Sequence, residues 1–591
     1  MRVVRLSLVL VFVLTACVHA DNFFRRSGSQ ILDPDGQPFL VRGNALSHWL
    51  TPEAYALKLN TVHGRHIGSY SSIRTRIREI LGNDADADAF WAAYHSNFVT
   101  QADLNAMAAE GFNTIRIPFN YRLLSPANSP DVFSEAGFQV LDQAIQMCKN
   151  SGLAVILDMH ACPGGQSHDA PADPEYTYWT WDNGIQNWVE VGVPTLWEFN
   201  QGYYNLTGRT PEFNKQRTAA IWREIAARYA HEPAVIGYEL INEPFLPYGV
   251  HYPDLRALLM QITAAIREVD TNHIIFVEGN FYAGTFDGLV PPWDDNMALC
   301  FHRYWAPINY SLIQEFVETA ALYNLPIVMT ESGENSNQWF HEFVALLEAN
   351  NVGWCWWGYK KVDMISSAFS STITPDYQYV IDNFRDLPID AARAKTGLME
   401  CAANLATDAC DFDPGWFDAL LSPSYASSSY AFANNVIPGT IYCANYDVGH
   451  QGVAFFDGRY KNEEGFFGGP WNEGDTYRND GVDITTTSEG IGYKVGWTEN
   501  GEWLKFTVNI TQTGRYDINI RTATPNSGGK LRLYLNGSPI TSEISVPKSN
   551  GWENWRTTTI RNVNLTAGTR ILELRVVVGG FDIASVEFKK K

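Results

Sequence analysis

Long apolar runs are scarce in this 591-residue chain. Beyond the N-terminus no stretch is long and apolar enough to span a bilayer as a helix. Positive charge is also in short supply: 43 Lys and Arg stand against 65 Asp and Glu, a formal charge of −22. A field of that sign repels phosphate backbones and anionic membrane surfaces, which argues against nucleic acid or a membrane surface as partner. The eight cysteines contain no Cys-x-x-Cys pair and no His/Cys cluster at zinc spacing, so no metal centre is expected. No internal repeat is visible.

Aromatic residues, by contrast, make up 13% of the chain, including 19 Trp. Trp and Tyr offer flat apolar faces with a polar edge, which suit the C–H faces and hydroxyl rims of neutral sugars. A large aromatic core fits the same composition equally well. Hydrophobic residues at 45% and charged residues at 18% describe a globular chain, and its length calls for two or three folded units.

At the N-terminus Arg2 and Arg5 precede a short apolar run, 6–16, which reads as a secretory signal over 1–20 with a cleavage site at Val18-His19-Ala20. Leu14-Thr15-Ala16-Cys17 supports the alternative of a lipid anchor on Cys17 at the cell surface. Export would permit a disulfide between Cys401 and Cys410. Cys148, Cys162, Cys300 and Cys355 lie in or beside apolar segments and read as small buried hydrophobes.

Short β-rich runs recur at 39–42, 114–118, 154–158, 235–240, 274–277, 299–302, 326–330 and 353–357. Amphipathic stretches at 140–149, 215–229, 254–269 and 338–347 repeat their apolar positions every three or four residues. Strand–helix alternation implies a parallel sheet with crossovers, and this count predicts an α/β fold, a (β/α)8 barrel with insertions, over 21–400. Segment 401–435, rich in Ser, Ala and Tyr towards its end, reads as a linker. From 436 to 591 short alternating strands broken by Gly and Asn turns predict a β-sandwich.

A (β/α)8 barrel carries its chemistry at the C-terminal ends of its strands. The polar residues there are Arg116, His160, Asn242-Glu243, Glu278, His302 with Tyr304, Glu331, and the aromatic Trp357. Two strands end in glutamate: Gly237–Pro244 closes on Asn-Glu-Pro, and 326–331 closes on Glu331. Two carboxyl groups of unequal acidity flanking one bond are what glycoside hydrolysis requires. Each also has a structural reading: a strand-end Glu closes ion pairs in many barrels, and for His160 and His302 the lesser alternative is a satisfied core residue. Glu334 is the rival to Glu331. Glu239, inside its strand, reads as structural.

In that order the residues resemble family 5 of the glycoside hydrolases over about residues 30–365. The resemblance implies Glu243 as acid/base and Glu331 as nucleophile of a retaining double displacement. It implies Asn242 on the sugar 2-hydroxyl, Arg116 and Tyr304 holding the nucleophile, His160 and His302 lining the reactive subsite, and Trp357 stacking beneath it. The family's nucleophile often has Gly before it and an aromatic after it; Thr330 and Ser332 stand here. His160-Ala161-Cys162-Pro163-Gly164-Gly165-Gln166 resembles a loop of members acting on β-1,3- and β-1,6-glucans. Trp179, Trp181, Trp188 and Trp197 are candidates for further sugar platforms or for packing of that insertion.

Residues 436–589 resemble family 6 carbohydrate-binding modules, through Tyr493-Lys494-Val495-Gly496-Trp497, Gly501-Glu502-Trp503-Leu504 and Gly579-Gly580-Phe581. The resemblance implies a sugar sandwiched by Trp497 and Trp552 and hydrogen-bonded by Asp582, where Asn is usual. Trp503 is expected in the core, and Trp555 is open to either role. The family's structural calcium is doubtful here, because Ile441–Asn445 lacks the two expected Glu.

The resemblances imply a secreted, monomeric hydrolase of a β-glucan, without cofactor, first an endo-β-1,4-glucanase. An exo- or endo-β-1,3-glucanase is the alternative, and a non-catalytic carbohydrate-binding protein is the second.

Overall fold

The computed structural model describes residues 22–59, 68–182, 187–385, 387–466 and 468–591, with only the backbone for 182 and 187–190. The N-terminal signal run and Cys17 lie outside the described residues. Among those residues no helix is long and apolar enough to cross a membrane.

Eight parallel strands close into a barrel. They are β1 (Arg42–Ala45), β2 (Thr114–Asn120), β3 (Ala154–Ala161), β4 (Val235–Glu239), β5 (Ile274–Glu278), β6 (Met297–His302), β7 (Ile327–Glu331) and β8 (Gly353–Trp357). Strands β2 to β8 fall on the runs predicted from sequence. The first strand starts at Arg42 rather than at residue 39, because Pro38–Phe39 pairs antiparallel with Gln30–Leu32 in a separate three-stranded sheet. That sheet carries Phe24, Ile31 and Phe39 onto the apolar interior of the barrel.

The period of two along each strand sorts the interior into layers. Ile156, Phe276, Ala298, Val328 and Cys355 fill one end with apolar side chains. Two residues on, Asp158, Glu278 and Cys300 follow, joined by Arg116 and Glu239, all buried. Another step along β3 and β6 brings His160 and His302. The same alternation that fills the core thus stacks a polar layer on an apolar one.

Segment 401–435, expected as a linker, is folded over most of its length. Helix Ala391–Asn404 runs into it, and helix Pro414–Leu421 packs Trp416, Phe417, Ala419 and Leu420 into the core of the barrel unit, as does Tyr425. The expected disulfide is not formed. Cys401 is a buried thiol on the core face of its helix, and Cys410 Sγ meets the carbonyl of Asn404 at 3.2 Å.

The C-terminal unit is a sandwich of two antiparallel-rich sheets. One is built on Trp503–Ile510, Gly568–Val578 and Lys530–Leu535; the other on Asp582–Lys590, Gly514–Ala523 and Arg556–Leu565. Alternate residues such as Leu504, Phe506 and Val508 face Ile518, Ile520 and Phe588 across a shared core.

Barrel and sandwich meet through buried amides. Asn335 Nδ2 donates to the Asn462 carbonyl (2.6 Å), and the Asn462 N–H donates back to Asn335 Oδ1 (2.9 Å). Asn479 Nδ2 donates to Asn337 Oδ1 and to the Asn335 carbonyl, both at 2.9 Å. Asn335, Asn337, Asn462 and Asn479 are all buried.

Candidate active site

Arg116 is the hub of the polar layer. Fully buried, it donates from Nε to Glu239 Oε2 (2.5 Å), from Nη1 to Glu331 Oε1 (2.5 Å) and from Nη2 to Asn242 Oδ1 (2.9 Å). Asp158 Oδ2 lies 3.0 Å and Glu278 Oε1 3.6 Å from the same guanidinium. One cation among four buried carboxyls cannot leave all of them charged. Burial pushes Asp158 and Glu278 well above the carboxylate range. Burial acts on Glu239 too, but the Arg116 charge and a hydrogen bond with Glu278 outweigh it and hold Glu239 below its ordinary value.

Above this layer the two strand-end glutamates converge. A carboxylate oxygen of Glu243, one of Glu331 and a ring nitrogen of His302 all lie within 4.8 Å of one another. Glu331 is 5% exposed at its side chain and Glu243 23%. Tyr304 Oη donates to Glu331 Oε2 at 3.2 Å. Burial drives the Glu243 carboxyl up to about 8. Burial also raises Glu331, with His302 and the Arg116 guanidinium beside it opposing the rise. Glu331 is hydrogen-bonded directly to the Arg116 guanidinium, whereas Glu243 is bonded to His302.

The Glu243 backbone sits in the left-handed region at φ 44°, an expensive conformation for a residue with a Cβ. Its N–H is held by Glu278 Oε2 at 2.6 Å. Glu278, on the neighbouring strand, thus sets the position of Glu243 without belonging to the pair. His302 bridges Glu243 Oε1 (2.8 Å) and Thr330 Oγ1 (3.1 Å), and burial lowers its imidazole to about 4, so it is neutral near pH 7. His160 bonds Asp158 Oδ2 at 2.9 Å and stacks on Trp357, ring centroids 5.2 Å apart at 13°. Asn242 Nδ2 is buried and has no protein partner, a donor left over at the mouth of β4.

All eight barrel residues predicted from sequence come together here. Glu334 takes a different place: it accepts from Lys361, from Ser366 Oγ (2.8 Å) and from Tyr55 Oη (3.0 Å). Tyr55 Oη also accepts from Trp357 Nε1 (3.0 Å). His48 and Glu53 stand beside this group, their side chains 3.4 Å apart, with burial raising Glu53 to about 7. The cluster of His48, Glu53, Tyr55 and Lys361 was not foreseen. Three of its members lie in irregular chain after β1, where no periodicity marks them.

The loop after β3 is fixed by Gln166. Its amide donates to the carbonyls of His160 (2.8 Å) and Asn242 (2.9 Å) and accepts from the Cys162 N–H (3.1 Å). Trp197 is buried and donates to the Gln166 carbonyl at 2.9 Å, so it packs the loop. Trp179 and Trp181 are about half exposed on the hairpin Thr177–Asp182/Asn187–Gly192, at 47% and 45%. The Trp188 side chain lies outside those described.

In the sandwich, Trp497 and Trp552 are exposed, at 48% and 45%. Lys494 ties their surroundings together: Nζ reaches the Trp552 carbonyl (3.3 Å) and Asp582 Oδ2 (2.8 Å). Trp503 is only half-buried, with Lys505 Nζ 4.7 Å above its ring, because it sits on the outward register of its strand. Trp555 packs with Ala523 and Ala584.

Comparison with known proteins decides the family. Residues 80–362 match the model of cellulase (glycosyl hydrolase family 5), and residues 473–590 that of carbohydrate binding module family 6. The barrel belongs to glycosyl hydrolase family 5. The sandwich is a family 6 module. Curated relatives of the family 5 barrel include a β-xylosidase of Phanerodontia chrysosporium, 30% identical over 48% of this chain and 52% of its own. Endoglucanase C of Acetivibrio thermocellus is 24% identical over 46% of this chain and 88% of its own. A probable glucan 1,3-β-glucosidase A of Aspergillus clavatus is 28% identical over 45% and 56%. The chain spans about half the length of the first and last of these. Among solved structures, the C-terminal family 6 module of LamC from Zobellia galactanivorans is 35% identical, covering 18% of this chain and 88% of its own with a TM-score of 0.18. Thermotoga maritima Cel5A is 20% identical, covering 44% and 80% with a TM-score of 0.32.

Proposed function

We propose that the chain is a retaining hydrolase of a β-glucan, working by double displacement. The observation that carries the reading is the pair itself: one carboxyl pushed up to about 8 by burial, another hydrogen-bonded to the Arg116 guanidinium, with oxygens within 4.8 Å. Retention needs carboxyl groups about 5–5.5 Å apart, whereas inversion needs roughly 6.5–9.5 Å to admit water. Glu331 attacks the anomeric carbon while Glu243 protonates the leaving oxygen; the glycosyl–enzyme ester forms and the glycosidic bond breaks. Glu243, now a carboxylate, then takes a proton from the water that releases the sugar. Asn242 Nδ2 offers the donor for the 2-hydroxyl, Tyr304 and Arg116 orient Glu331, His160 and His302 line the subsite, and Trp357 floors it. This chemistry calls for no cofactor.

For the linkage, β-1,3 is the first reading. The Pro163-Gly164-Gly165 loop, resembling that of β-1,3-acting members, is locked against the catalytic strand ends by Gln166, and the likeness to a glucan 1,3-β-glucosidase points the same way. The likeness to Endoglucanase C keeps internal cleavage of β-1,4-glucan as the second. The module, with Trp497, Trp552 and Asp582, binds glucan as well.

Product release from soluble β-1,3-, β-1,4-, β-1,6- and mixed-linkage glucans, with mannan beside them, tests the proposal. Activity on one glucan, lost in Glu243→Gln and Glu331→Gln, is expected. Turnover that survives Glu331→Gln, or binding without turnover in the parent, overturns it.

A further inference from the structure

The loop residues 457–466 and 468–483 belong to the sandwich by sequence, yet this loop lies against the catalytic end of the barrel. The Asn335–Asn462 and Asn337–Asn479 pairs anchor it just beyond β7, the strand that ends in Glu331. Further on, the Gly465 N–H donates to the Trp305 carbonyl at 3.1 Å. Phe466 packs edge-on against Trp305, ring centroids 5.3 Å apart, and is 71% exposed. Trp305 lies 5.2 Å from Tyr304, whose hydroxyl touches Glu331. Three rings thus run outward from the nucleophile, and the outermost comes from the module.

Phe466 keeps most of its ring in solvent, on a stretch anchored by buried polar contacts. Its neighbours point to a use: a ring beside aromatic rings and carboxylates suits the C–H face and hydroxyls of a sugar. We propose that the loop forms one wall of the barrel's substrate cleft, with Phe466 as a platform for a glucose unit beyond the cleavage site. The module is then part of the active site as well as a separate binding unit. The inference rests on the β-glucan reading above.

The test compares the full chain with Phe466→Ala on a 4-nitrophenyl β-glucoside and on β-1,3- and β-1,4-gluco-oligosaccharides from dimer to hexamer. Loss of one aromatic contact is expected to lower kcat/KM about tenfold on the longest oligomers. The loss should grow with chain length and vanish on the aryl glucoside, with the melting temperature unchanged. A loss equal on all substrates, or none on any, overturns the proposal. Should the parent hydrolyse none of them, the hydrolase reading falls by itself. Calorimetric binding of the same oligomers then decides for Phe466: affinity weakened by Phe466→Ala sustains the wall, and unchanged affinity removes it.

Discussion

Arg116 holds Glu331 by a single guanidinium nitrogen, Nη1, because its other two nitrogens are already committed to Glu239 and Asn242. The placement of Glu331 and the polar interior of the barrel thus depend on one residue. A lysine offers a point charge without the fork. Arg116→Lys should cost stability on the order of 3–5 kcal/mol, the range for breaking a buried pair. Denaturant unfolding reads this directly; an unchanged midpoint would show that the four carboxyls manage without the fork.

The two glutamates are distinguishable by chemical rescue. In Glu331→Ala, azide in the vacated space should attack the anomeric carbon directly and give the inverted glycosyl azide. In Glu243→Ala, azide should capture the glycosyl–enzyme and give the retained one. Both variants should lose at least about 10²–10⁴ in kcat on unactivated substrates before azide is added. The stereochemistry of the azide product, by NMR, makes the assignment or reverses it.

The pH profile of kcat/KM should be bell-shaped. Its alkaline limb lies near 8, where Glu243 loses its proton. Its acid limb lies above the ordinary glutamate value, because Glu331 is raised as well. The two limbs belong to the coupled pair.

Glu243 also links pH to stability. Its folded value of about 8 exceeds its ordinary 4.5, so the folded state keeps a proton that the unfolded chain releases. Stability from this group is complete below about 4.5 and declines as pH rises towards 8. Glu243→Gln removes the cost of charging a buried group, so at pH 8 it should be more stable than the parent by on the order of a few kcal/mol. Melting curves at pH 5 and 8 check the sign: the gain should appear at the higher pH and shrink at the lower.

On the module, Trp497→Ala and Trp552→Ala should each weaken retention on insoluble glucan, by roughly tenfold for a lost ring contact. Depletion assays with each variant measure it. Equal retention would move the module's site elsewhere.

The barrel site was legible in the sequence because strands are local and their ends are marked. A hydrophobic run closing on Asn242-Glu243-Pro244 states both the element and its chemistry, and the period of two along 154–160 orders Ile156, Asp158 and His160 in one column. Glu53 lies in irregular chain and Tyr55 at the start of one short 3-10 turn, so nothing periodic announces that Tyr55 reaches Trp357 and Glu334. Trp503 and Trp555 show the same limit: composition says aromatic, but the register of one strand decides which face each takes. The helix Pro414–Leu421 was hidden inside a segment whose Ser-rich end suggested a spacer. The Asn335–Asn462 contact joins residues 127 apart, and asparagine in a loop carries no sign of its partner.

Those buried amides change what the module does for the enzyme. A flexible tether raises local concentration according to its length, and any substrate shape within reach serves. Docked as it is, the module stands at one distance and one angle from the catalytic pair. On the proposed function, a polysaccharide that touched both would follow the path between them, and the protein would act as a template for the curvature of the chain it cuts. A helical glucan and a flat ribbon would then be told apart before either reaches Glu243.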